Sequence, residues 1–313
     1  MNFNANVGIG AVFKLIVRKA DTDEIVRETP EFHNLVLNTG LARMAVGTWI
    51  DRCCVGTGNS TPVVSQVALD SFLASTTTVA AGASDTGGIQ VTTAPFYWFG
   101  RRTWRFAVGV ATGNISEIGL GWGNTTLWNR ALVKDTAGNP TTITILADEY
   151  LDVISEVRVY PKESVSNINL VDKVGNIISA HEVKIMPYFN NVSSEVKWNA
   201  GKLYFGGTDD MFRASNNDMP LTTGGLPATS VIGPAPSVTY AGSSMQGTVT
   251  VSSSQLNFLQ RSFFTSISGA MIIPHQWVSS VCGYKWQFNP VIPKDAETIL
   301  TYKFTLTWGN YAP

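Results

Sequence analysis

One pattern occurs twice in this chain, and any fold has to accommodate both copies. Val26-Arg27-Glu28-Thr29-Pro30-Glu31-Phe32-His33-Asn34-Leu35 aligns without a gap on Val183-Lys184-Ile185-Met186-Pro187-Tyr188-Phe189-Asn190-Asn191-Val192. Gly56-Thr57-Gly58 has a counterpart in Gly206-Gly207-Thr208, each followed by a leucine, Leu69 or Leu221. Arg102-Thr103-Trp104 matches Arg261-Ser262-Phe263, and Ile115-Ser116-Glu117-Ile118 matches Val278-Ser279-Ser280-Val281. In the closing strand, Leu151, Val153, Val157 and Val159 share the phase of Leu300, Tyr302, Leu306 and Trp308. Matches in one order predict an internal duplication, with a first domain over 1–162 and a second, shorter one over 163–313. Lys162-Glu163-Ser164-Val165-Ser166-Asn167 is polar and aperiodic, as a linker should be. Half of 313 residues is enough for a self-sufficient core.

The local patterns are those of strands. Leu300 to Trp308 alternates apolar and polar residues, which predicts a strand with one buried face. Val12 to Val17 turns through Ala20-Asp21-Thr22-Asp23 into Ile25-Val26-Arg27, a hairpin with a polar turn. Thr39 to Val46 is the one convincing helix, with Asn38 or Thr39 as its N-cap. Short strands between Gly, Pro and Asn turns predict an all-β chain of two tandem, related antiparallel β-sandwiches.

Charge excludes several functions. Only 14% of residues are charged, and 22 basic against 23 acidic residues leave a net charge of -1, so the footprint of a nucleic-acid binder is missing. No apolar run is long enough for a transmembrane helix, so membrane insertion is not expected. Met1 to Gly10 lacks the features of a signal peptide, which predicts synthesis in a cytoplasm. Cys53, Cys54 and Cys282 form neither a disulfide framework nor a metal spacing and are expected to be buried, reduced thiols.

Catalytic chemistry is scarce. His33, His181 and His275 have no metal-spaced partners. Asp148, Glu149 and Asp152 resemble a Ca²⁺-type cluster, but on a strand Asp148 and Asp152 stand about 13 Å apart, too far for one ion. They are expected to solubilise a strand end, as are Asp295 and Glu297; Asp209-Asp210 is an equally weak metal candidate. Gly56-Thr57-Gly58-Asn59-Ser60 lacks the Gly-Lys-Ser/Thr of a phosphate loop and is expected to be a tight turn needing positive φ. No catalytic residue, cofactor or metal site is predicted.

The most unusual stretch is Pro95 to Phe106, where aromatic residues interleave with arginines. Such a mixture serves either core strands or an interface, where Trp, Tyr and Arg are over-represented. Arg102 and Trp104 have counterparts in the second copy and are assigned to the framework. Tyr97, Trp98 and Arg101 have none and are the candidate interface residues.

Three phrases carry a family resemblance. Val55-Gly56-Thr57-Gly58-Asn59-Ser60-Thr61-Pro62 with Val67-Ala68-Leu69, Asn114-Ile115-Ser116-Glu117-Ile118-Gly119, and Phe32 to Leu41 resemble segments of tail and tail-fibre proteins of tailed bacteriophages. The second copy departs from them, with Ser280 and Cys282 at the positions of Glu117 and Gly119. The resemblance implies a virion structural protein located in the phage tail. Neither a heptad shaft nor a β-helical repeat is present, so a compact subunit of the tail tip, baseplate or fibre-attachment region is expected. Its implied partners are other phage tail proteins and further copies of itself in a cyclic homo-oligomer. The alternative is a receptor-binding protein that recognises a host-surface glycan or protein through the aromatic–arginine stretch. A polysaccharide-degrading enzyme would need two carboxylates held at a working separation.

Overall fold

The computed structural model describes residues 2–189, 198, 200–202, 204–205, 212–215, 230–232, 237–251, 260–268, 282–292 and 299–311. Gly206-Gly207-Thr208, Asp209-Asp210, Leu221, His275, Val278 to Val281, Asp295 and Glu297 lie outside the described residues. The rest is almost entirely β, with a single α-helix among the described residues.

The period-two pattern is strongest in the first strand, β1 (Asn2–Lys19). Its odd residues Phe3, Ala5, Val7, Ile9, Ala11, Phe13, Leu15 and Val17 are all buried, while Asn2, Asn4 and Asn6 face solvent. Each large apolar side chain buried this way contributes roughly 1.5–3 kcal/mol. The strand is the middle of a nine-stranded sheet that also holds β2 (Ile25–Glu28), β3 (Phe32–His33), β7 (Thr86–Gln90), β8 (Tyr97–Phe106), β14 (Glu149–Pro161), β20 (Ser237–Ala241), β21 (Ser244–Val251) and β24 (Leu300–Asn310). Its main order is β20-β21-β24-β1-β14-β8-β7, with β2 and β3 also on β1.

A six-stranded sheet is formed by β4 (Leu35–Val36), β5 (Arg52–Gly56), β6 (Phe72–Thr76), β10 (Glu117–Gly123), β11 (Thr126–Leu127) and β12 (Asn129–Leu132). The pair β9 (Gly113–Ile115) and β13 (Ile143–Ile145) stands apart. A seven-stranded sheet holds β15 (Ser164–Val171), β16 (Ile177–Phe189), β17 (Tyr204–Phe205), β18 (Phe212–Ser215), β19 (Ser230–Ile232), β22 (Gln260–Ser268) and β23 (Cys282–Ile292). One apolar cluster runs through the sheets. At its far end Phe3 meets Trp286 at 6.1 Å and Phe288 at 5.6 Å between ring centroids, so the start of the chain packs on its last third.

The predicted hairpin and closing strand are present: the Asp23 N–H donates to the Lys19 carbonyl and the Lys19 N–H to the Glu24 carbonyl, both at 3.0 Å, and β24 alternates buried and open residues. Four expectations need correction. The β1–β24 pair is parallel, from Asn2–Lys303 to Ile9–Asn310, whereas every other described pairing is antiparallel. Ser164 to Asn167 is not linker but the start of β15, whose backbone pairs with β16 from Ser164–Ile185 onward. The helix α1 runs over Asn38–Arg43 with Leu37 as N-cap and no side-chain cap. Leu37 is held there because its N–H donates to the Trp128 carbonyl, and that of Asn38 to the Val64 carbonyl, both at 2.9 Å. Finally, Gly56 and Gly58 are not among the glycines with positive φ. They are needed for space, since a Cβ on Gly58 would collide with Asp70 and Glu117.

Strands expected to be equivalent do not have equivalent neighbours. β14 and β24 flank β1 on opposite sides, while β8 lies between β14 and β7 and β22 pairs with β23, β18 and β17. The expected correspondence between the two halves rests on sequence order, not on pairing.

Candidate functional site

Strand alternation sorts the candidate interface residues onto two faces of the nine-stranded sheet. Trp98 points inward with no exposed surface and belongs to the core, which corrects its assignment to an interface. Trp104, three repeats of the pleat further on, is also fully buried and donates from its indole to Ser155 Oγ at 2.9 Å, as a framework residue should. Tyr97 and Arg101 point outward, where they join residues of β14 and Tyr311, just beyond β24.

The outward cluster is built on cross-strand neighbours. Phe99 stands opposite Arg158, and Arg101 opposite Glu156. The Arg101 Nε donates to Glu156 Oε2 at 2.9 Å, and the Arg158 Nε donates to Oε1 of the same carboxylate at 2.6 Å. Glu156 is only 4% exposed beneath them, so two guanidiniums share one carboxylate and the patch carries a local positive excess. The Arg158 guanidinium lies over the Tyr97 ring at 4.8 Å. Tyr97 meets Tyr160 at 5.2 Å, and Tyr160 stacks on Tyr311 at 3.6 Å with planes 11° apart. Burial pushes the Tyr160 hydroxyl above its ordinary pKa, against the pull of Arg158.

Glycines give these rings their seats. A Cβ on Gly8 would come within 3.0 Å of the Tyr311 ring, and one on Gly88 within 3.1 Å of the Phe99 ring. The result is a half-buried platform of Tyr97, Phe99 and Tyr311 seated on the buried ring of Tyr160, with Arg101 and Arg158 fixed beside them. Prefixed aromatic and arginine side chains lose little conformational entropy on binding, which is the composition of an interaction surface.

A second constellation lies in the six-stranded sheet and gathers two of the tail-like phrases. Glu117 is fully buried and accepts four bonds: from the amides of Gly58 and Ser71 at 2.8 Å each, from that of Asp70 at 3.0 Å, and from Arg130 Nε at 2.8 Å. Arg130, also fully buried, donates to Gln66 Oε1 at 2.9 Å, Ser60 Oγ at 3.2 Å and Asp70 Oδ2 at 2.7 Å. Ser116 Oγ donates to the Gly58 carbonyl at 2.8 Å. The segment from Thr57 to Ser71 is thereby pinned to β10 and β12. The Gly58 amide, which a phosphate loop would offer to an anion, is already occupied by Glu117. Phe99 lay in the aromatic–arginine stretch, but neither Arg130 nor the outward partners Glu156, Arg158, Tyr160 and Tyr311 stood out in the sequence. Glu117 does carry a signal, being a lone charge in the otherwise apolar β10, and such charges are paired.

The remaining titratable candidates are spent on fixed partners. Asp148 pairs with Lys19 at 2.8 Å, Glu149 pairs with Lys19 at 3.4 Å and with Arg27, and Asp152 pairs with Arg105 at 2.7 Å. Among the described residues no group of three or more His, Cys, Asp or Glu is arranged to hold a metal ion. His33 is exposed on β3, and buried His181 is bonded to Ser179 at 2.7 Å and to the Pro290 carbonyl at 2.6 Å. Cys53 and Cys54 are buried; desolvation pushes the Cys53 thiol well up and the Cys54 thiol up to about 12. Among the described residues no helix is long and apolar enough to cross a membrane. No protein-family model, curated protein or solved structure matches this chain.

Proposed function

We propose that this chain is a non-catalytic structural subunit of a bacteriophage tail, in the tail tip, baseplate or fibre-attachment region, and that it works as a homo-oligomer among other tail proteins. The observation that carries the reading is the convergence of the tail-like phrases. Val55 to Pro62 and Asn114 to Gly119 are far apart in sequence, yet they meet at Glu117, while Phe32 to Leu41 supplies β3, β4 and the first turns of α1 beside them. Residues that build one rigid clamp are what a structural module needs, and they leave no titratable group free at that place for chemistry. Mass spectrometry of purified virions tests the reading. The chain is expected as a stoichiometric virion component, and virions without it would overturn the proposal.

A second reading, host-receptor or glycan recognition, is favoured by the outward platform. Tyrosine rings and arginines present flat and cationic groups to a sugar or to an acidic protein surface. Tyr97→Ala with Arg101→Ala should then reduce adsorption to host cells while particles assemble normally. If assembly fails instead, the platform is a contact between tail proteins.

A further inference from the structure

The edge of the seven-stranded sheet is an open invitation to pairing. Among the described residues β15 bonds on one side only, to β16, and its eight residues make it the longest terminal strand of any described sheet. Its sequence Ser164-Val165-Ser166-Asn167-Ile168-Asn169-Leu170-Val171 contains no charge, proline or glycine. Edge strands are normally blunted by such residues or kept short, as β4, β7 and β20 are here, because a free row of N–H and C=O groups templates another strand. β15 also leaves Val165 61% and Val171 43% exposed. An open groove of about 1040 Å³ borders it, with Asn2, Asn4 and Lys303 on the opposite wall.

We propose that β15 pairs antiparallel with β15 of a second copy of this chain, about a two-fold axis at Ile168. In that register the inward residues Ile168 and Ile168 oppose each other, and Ser166 opposes Leu170. Outward, Val165 meets Val171 and Asn167 meets Asn169, each pair occurring twice, as an isologous contact demands. Just beyond the strand, Glu163 comes beside Lys173 of the other copy at both ends. Both are exposed, and neither makes an ion pair within its own chain among the described residues. A one-residue slip would oppose residues from different faces of the sheet. Centring on Asn167 instead would set Val165 against Asn169 and lose the charge pair. Only the Ile168 register joins valine to valine, amide to amide and acid to base.

The inference deepens the assembly reading above, but it is tested on the purified chain, so either can fail alone. Sedimentation velocity at high micromolar concentration should show a particle of twice the monomer mass. Val165→Lys with Val171→Lys places like charges opposite each other at exposed positions, so the variant should keep the wild-type circular dichroism and melting temperature yet sediment as a monomer. Glu163→Lys should weaken association roughly tenfold, and adding Lys173→Glu should restore it. A monomeric wild type, or a dimer untouched by these substitutions, overturns the proposal. Virions that lack the chain would leave the dimer standing and remove only its tail location.

Discussion

Arg130 and Glu117 are bonded to each other at 2.8 Å, Nε to Oε2, and solvent reaches neither side chain. A buried pair of this kind is costly to break from one side, because the partner is left as an uncompensated charge. Asp70 Oδ2 still faces Arg130 at 2.7 Å, so Glu117→Gln should cost less than a fully orphaned charge, about 1–3 kcal/mol, read as a lower urea midpoint. A change near zero would mean that the clamp contributes little to folding.

Asp70 links the same clamp to pH. Burial alone would raise its pKa, but the hydroxyl and amide of Ser60 and the Arg130 guanidinium outweigh this and hold it below the ordinary 3.8. As the pH falls the unfolded chain takes up this proton first. The stabilisation is thus complete above 3.8 and is lost as the pH drops through the native value. Urea midpoints measured across that window should fall less steeply for Asp70→Asn than for the wild type.

Gly58 tests whether the loop needs space or backbone freedom. Its φ is not positive, so alanine is conformationally allowed there, but the added methyl would meet Asp70 and Glu117. Gly58→Ala should cost about 1–3 kcal/mol by overpacking, seen as a lower melting temperature. Full tolerance would show that the loop shifts without loss.

Tyr97 and Trp98 are neighbours on opposite faces of β8. Trp98→Ala empties a core site and should cost about 3–5 kcal/mol. Tyr97→Ala removes a surface ring and should cost about 1 kcal/mol. Equal costs in urea titrations would contradict the assignment of faces.

Cys53 and Cys54 should resist thiol reagents in the native protein, since both are buried and their pKa values are raised. Peptide mapping after alkylation should find them modified only once denaturant is present.

Periodicity is local, so much of the fold was legible from it. The all-β character, the hairpin of β1 with β2 and the one-sided burial of Leu300 to Trp308 all follow from spacing between near neighbours. The existence of α1 did too, though not its cap, because Trp128 and Val64 hold that turn from elsewhere in the chain. Alternation also separates Tyr97 from Trp98, but it does not say which face is inward; that depends on where the apolar cluster lies. The polar look of Ser164 to Asn167 concealed a strand, since an edge strand can satisfy its backbone with little apolar content.

What the sequence alone determined is therefore the kind of element, and no reading of spacing singled out Glu117 or Arg130 as a pair. Only the tertiary structure decided that they pair with each other, that β1 runs parallel to β24, and that Tyr311 closes over Tyr160. These are contacts between residues far apart along the chain. They are selected by the packing of whole sheets and by the burial of charge, and no local spacing encodes them.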